Sequence, residues 1–202
     1  MGHLINIWRE VSSYLRYANS RNLALITINA SLLTLLTAAL STTAENAVLT
    51  VIRPSLTCYE IICSFIAISQ LVLLISFAPT LNRFRRTSSA WTSLCRHLRL
   101  VGSVVLPEQR NPFYFFEIDQ FNNAPDYFAH LATNYKELIG EDPQSPALMA
   151  CSQQIWTISR ICTTKFAQFS LALALLTIAI VIYAIYVLWN LRHFVCQTSL
   201  TY

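Results

Sequence analysis

Hydrophobic and polar positions fall into long blocks along this chain. Three runs of about 20 mainly apolar residues, Asn22 to Leu40, Cys58 to Ala78 and Phe166 to Trp189, are each long enough to cross a hydrocarbon core of roughly 30 Å. The third is the cleanest: from Leu171 to Leu188 nothing is more polar than Thr177 and two tyrosines, and Tyr183, Tyr186 and Trp189 gather toward one end like an interfacial belt. The first carries Asn22 and Asn29 within its apolar sequence.

Around these runs the pattern has helical period. Leu4, Trp8, Val11, Leu15 and Ala18 predict an amphipathic helix leading into the first span, with Arg9, Glu10, Ser13 and Arg16 on its other face. Phe84, Trp91, Leu94, Leu98 and Val101 continue a stripe after the second span until Gly102 and Pro107. Asn123-Ala-Pro-Asp supplies cap and first-turn chemistry for a short helix with Tyr127, Phe128, Leu131, Tyr135 and Leu138 on one face. Residues 140–146 read as a linker, and Ser145-Pro146 opens the last helix. No Gly or Pro interrupts Ala147 to Trp189, so one helix of about 43 residues, roughly 65 Å long, is expected to carry the third span out of the membrane.

The fold class expected is an all-α integral membrane protein, three transmembrane helices with helical cytosolic extensions. Its plan is an amphipathic helix over 1–21, spans over 22–41, 58–79 and 166–190, a cytosolic signal-receiving region over 80–165 and an outer tail over 191–202. Composition agrees: of 202 residues 54% are hydrophobic and 12% charged, and mean hydropathy is +0.46. Arginines and lysines cluster before the first span (Arg9, Arg16, Arg21) and between the second and third, whereas the loop between spans one and two holds Arg53 and the tail Arg192. By the positive-inside rule the N terminus and the 80–165 region face the cytosol and the C terminus faces out. The net charge of +4 is mostly this asymmetry, so no nucleic-acid partner is expected. A cleaved signal peptide fits poorly, because a 21-residue polar and amphipathic preamble precedes the first apolar run.

Chemistry is sparse. Six cysteines form no CxxC pair and have no histidine at zinc spacing, so no metal site or cofactor is expected. Phosphate-binding glycine loops and Ser/His/Asp or Cys/His constellations are missing; Glu117 and Asp119 would share a face on a strand, but two acids do not make an active site. The expectation is a protein that is not an enzyme.

The block Gln109 to Phe121, QRNPFYFFEIDQF, is unusual in setting four aromatic residues after Asn-Pro. Its first reading is structural, rings filling a core between cytosolic helices. A functional reading stacks Phe113 or Tyr114 on a nucleobase while Arg110 or a basic neighbour meets a phosphate.

Four segments together resemble a known family: YANSRNLALITINASLL before and in the first span, NPFYFFEID, the Tyr127 helix, and QQIWTISRICTTKFAQFSLALALL entering the last span. Over about residues 11 to 190 the chain is similar to the transmembrane effector domain of Pycsar anti-phage systems. Asn19-Ser20-Arg21-Asn22 stands where that family usually has Asp-x-Lys-Ala. The resemblance implies an effector of bacterial defence in the inner membrane, with a periplasmic C terminus. A partner nucleotide cyclase would make a cyclic pyrimidine mononucleotide, cyclic UMP or cyclic CMP, and the effector would then compromise the membrane.

On this reading the candidate ligand contacts are Arg110, Asn111, Tyr114 and Asp119, with Arg160 from the long helix. Three spans are too few to line a sizeable pore, so a homo-oligomer in the lipid bilayer is expected. The alternative is a ligand-independent membrane subunit whose cytosolic helices bind a protein partner, with the aromatics as interface anchors. A third, an autonomous holin-like pore, predicts toxicity without any signal.

Overall fold

The structure, a computed structural model, describes residues 2–41, 54–75, 114–135 and 145–198. These form helices α1 (Gly2–Ser41), α2 (Leu56–Ile75), α3 (Phe115–Ile118), α4 (Ala124–Asn134) and α5 (Pro146–Thr198), with no strand among the described residues. The protein is all-α, and α1, α2 and α5 are long and apolar enough to cross a membrane. The stripe from Phe84 to Val101, Arg110, Asn111, Phe113 and most of the 140–146 linker lie outside the described residues.

Local chemistry accounts for the helix limits. Asn123, in extended conformation, accepts a hydrogen bond on its side chain from the Asp126 amide at 2.7 Å, and Pro125 stands in the first turn of α4 where a missing N–H costs nothing. Helix α5 begins at Pro146 as the sequence suggests, and runs past Trp189 to Thr198 because no Gly or Pro stops it there. The aromatic block differs from a strand: Tyr114 is extended, but Phe115–Ile118 form one helical turn. Glu117 and Asp119 therefore do not share a face as they would on a strand.

The described residues fall into two compact units, and α1 and α5 contribute a segment to each. The first, here the aromatic unit, comprises described residues 2–22, 114–135 and 145–167. Its core joins Leu4, Ile7 and Val11 of α1 to Phe115, Ile118, Tyr127, Phe128, Leu131, Leu148, Ile155 and Cys162. The buried face of α1 runs through Leu4, Ile7, Val11 and Ala18, whereas Trp8 is 38% exposed. The expected stripe holds at Leu4, Val11 and Ala18, which are buried, and at Leu15, which packs partly buried against the core, and is one step off at Trp8: a three-then-four spacing from Leu4 brings Ile7, not Trp8, onto the seam that Val11 and Ala18 share.

The spanning unit comprises described residues 23–41, 54–75 and 168–198. Leu25 and Leu36 pack with Cys58, Ile62, Ile66, Val72 and Leu73 of α2 and with Ala172, Leu176 and Ala179 of α5. In their most apolar stretches only 17% of α1 and of α5, and 33% of α2, is buried, so most of the oily surface points outward, as lipid contact requires. Hydroxyls in α1 are accommodated by bonding backward along the helix: Thr27 to the Leu23 carbonyl, Ser31 to Thr27, Thr34 to Ala30 and Thr37 to Leu33. At one end Thr37 and Tyr59 hydroxyls meet at 3.1 Å, and the Ser55 amide donates to the Tyr186 hydroxyl at 2.9 Å. These bonds join all three spanning helices. Asn29, the oddity of the first apolar run, is completely buried inside the unit.

Candidate functional site

The aromatic unit carries two neighbouring constellations. The first is the ring cluster that α3 starts. Phe115 is buried, stacks on Phe166 with centroids 5.4 Å apart, and touches Tyr14 at 5.0 Å. Tyr17 adds a ring 6.2 Å from Phe166, and the Arg21 guanidinium lies 5.5 Å and 5.8 Å from the Tyr17 and Phe166 centroids. The core reading of the aromatic block therefore holds for Phe115. Tyr114 is different: it is 41% exposed and meets Tyr14 edge-on at 6.1 Å. Partial burial, then the nearby Tyr14 and Glu117, push the Tyr114 hydroxyl above its ordinary range, so it stays a neutral donor near neutral pH.

The second constellation is built on one face of α5. Ser152, Trp156 and Arg160 recur every four residues, one turn apart. Trp156 donates its indole N–H to the Phe121 carbonyl at 3.1 Å, which fastens the turn after α3 to α5. Arg160 lies with Cζ 5.1 Å above the Trp156 ring, and its Nε is 3.9 Å from Asp119 Oδ1. The Asp119 side chain is 2% exposed and that of Arg160 49% exposed. The arrangement is a buried carboxylate orienting a guanidinium that still offers donors to solvent.

Beside Trp156 lies an open groove of about 300 Å³, lined by Asn123, Ala124, Pro125, Met149, Ser152, Gln153 and Trp156. Asn123 and Gln153 supply amide donors and acceptors, and Trp156 supplies a stacking surface. A cavity of similar size in the spanning unit, about 280 Å³, is walled by Leu32, Leu36, Ile62, Ile66 and Ala179 with Tyr183 as its one polar side chain. It could hold an acyl chain but has little to orient a charged molecule.

Of the candidate residues read from sequence, the structure brings Asp119 and Arg160 together and sets Tyr114 in the ring cluster. Arg110 and Asn111 lie outside the described residues. Trp156, Asn123 and Gln153 were missed, although the spacing of Gln153, Trp156 and Arg160 already placed all three on one side of a helix. No cluster of His, Cys, Asp and Glu suited to a metal ion occurs among the described residues. Cys162 packs as core, its thiol 3.7 Å from the Val11 carbonyl. Burial, partly offset by Lys165, pushes that thiol up to about 12.

Comparison with curated proteins and with solved structures gives no significant match. A family model, described as the Pycsar effector protein domain, matches residues 3–191, which include α2 to α4, all but the first residue of α1 and all but the last seven of α5. The chain belongs to the Pycsar effector protein domain family and is a membrane effector of anti-phage defence.

Proposed function

We infer that the aromatic unit is a receptor for a cyclic pyrimidine mononucleotide, cyclic UMP or cyclic CMP, and that its occupation switches the spanning unit to a state that disrupts the bacterial inner membrane. The observation that carries this is the half-exposed Arg160 guanidinium held over Trp156, whose ring lines a groove together with the Asn123 and Gln153 amides. A nucleotide monoanion needs a cation for its phosphate, a ring to stack its base and amides for the base edge. Arg160, Trp156 and the Asn123/Gln153 pair are those three groups, and the groove volume lies at the lower end of the about 300 to 1,000 Å³ of small-ligand sites. Tyr114, Arg110 and Asn111 are further proposed contacts from the same block.

Phosphate binding would draw Arg160 from Asp119, whose 3.9 Å separation is long for a charge-assisted bond. Helix α5 is the route by which that change reaches the spanning unit, since it continues unbroken from Pro146 to Thr198. In this reading the N terminus and the 80–165 region are cytosolic, where a cyclase would supply the messenger, and the C terminus is periplasmic. Several copies assemble to breach the bilayer, and the chain itself performs no catalysis.

Thermal unfolding of the detergent-purified protein against cyclic UMP, cyclic CMP, cyclic AMP and cyclic GMP tests the receptor. We expect saturable stabilisation by one pyrimidine nucleotide, because a ligand that binds the folded state raises apparent stability by mass action. Folded protein that responds to none of the four would instead favour a membrane subunit addressed by a protein partner.

A further inference from the structure

The spanning unit contains a layer of polar side chains that lipid cannot satisfy. Asn29 Nδ2 donates to Ser69 Oγ at 3.0 Å, and Ser69 Oγ donates to the Ala172 carbonyl at 2.9 Å, so one residue from each spanning helix enters the chain of bonds. Asn29 and Ser69 are completely buried, and Gln168 is 1% exposed. Gln168 lies one turn before Ala172 on the same face of α5. Both polar atoms of the Gln168 amide, and Asn29 Oδ1, are buried without a hydrogen-bond partner among the described residues. Such groups persist in an apolar interior when something small reaches them.

Burial restricts what that can be. A side chain from a second copy does not reach atoms that have essentially no exposed surface. The donor set restricts it further: two carbonyl oxygens and one NH₂ group, with no carboxylate among them, suit a molecule that both donates and accepts. A cation would be repelled by the NH₂ protons. We propose that the spanning unit holds internal water at the Asn29–Ser69–Gln168 layer, and that this layer is where the activated bundle first admits a continuous water path for ions. The second half rests on the effector reading above. Beside this layer the buried residues of the unit are apolar, among them Leu73 from α2 and Leu176 from α5, and such packing disfavours a continuous water path in the resting bundle.

Two measurements on the full chain separate the parts. With side-chain amides of Asn and Gln labelled with nitrogen-15 in lipid nanodiscs, the Gln168 NH₂ resonance, assigned by its loss in Gln168→Leu, should show a cross-peak to long-lived water. A visible Gln168 resonance with no water cross-peak overturns the site. In liposomes carrying the protein and its nucleotide, Gln168→Leu should lose ion release while keeping the thermal shift with nucleotide; unchanged release overturns the path. Wild-type protein with the water cross-peak but no nucleotide-dependent release contradicts the effector reading and leaves the water site standing.

Discussion

In the aromatic unit neutral polar residues such as Asn22, Ser159 and Thr163 are buried, but so is a charged one, the carboxylate of Asp119, whose partner Arg160 keeps half of its side chain in solvent. In the spanning unit the buried polar groups are amides and a hydroxyl, Asn29, Ser69 and Gln168, and none reaches the surface. The contrast follows the solvent outside each unit. A charge at a water-facing edge can change partners at modest cost, which suits a receptor. Inside lipid a charge is prohibitive, so neutral hydrogen bonds join the helices instead. The two cavities repeat the difference, amides and an indole in one, leucines and isoleucines in the other.

The largest effect expected from breaking this division is Gln168→Lys. An unpartnered ammonium at a fully buried position near the start of the third span should cost about 3 kcal/mol or more and prevent stable insertion, read as loss of membrane-fraction protein. Tyr127→Ala should be comparable within the aromatic unit. The ring is completely buried, and its removal should destabilise by roughly 3 to 5 kcal/mol, abolishing the nucleotide thermal shift while the protein remains in the membrane.

Alkaline pH should come next. Burial raises the Cys162 thiol from 9.0 to about 12 and raises the Tyr127 hydroxyl above its ordinary 10. The unfolded chain therefore releases these protons first, and stability falls as pH rises. The loss begins near pH 9 for Cys162 and near pH 10 for Tyr127, at up to about 1.4 kcal/mol per pH unit for each group. Melting temperature should be flat from pH 7 to 8.5 and decline above pH 9, and a Cys162→Ala protein should decline less. Arg160→Ala is the subtlest for folding and the sharpest for binding. Its half-exposed pairing should cost no more than about 1 kcal/mol of stability. Loss of a charged hydrogen bond to phosphate should weaken nucleotide binding by roughly tenfold to hundredfold, measured by titration calorimetry.

How much of this was legible in sequence depends on the range of the interaction. The three spans, the Asn123 cap and the unbroken last helix depend on neighbours within a few residues, and the sequence displays them. The seam of α1 was read one residue off at Trp8, because Ile7 and Trp8 are both apolar and the choice is made by what α1 packs against. The Asp119 and Arg160 contact joins positions 41 apart in the chain through the turn that Phe115–Ile118 makes. That geometry has no local signature. Asn29 is informative in another way: what weakened the first span as an apolar run is a buried helix-joining residue, as intramembrane polar residues commonly are.

The receptor claim is tested most directly by the fluorescence of Trp156 itself. In a protein carrying Trp8→Phe, Trp91→Phe and Trp189→Phe, Trp156 is the remaining tryptophan. A base stacked on its ring should quench the emission saturably with cyclic UMP or cyclic CMP, and Arg160→Ala should move that titration to higher concentration. Emission that stays constant while the same sample is thermally stabilised by the nucleotide would place the ligand elsewhere and contradict the groove beside Trp156 as its site.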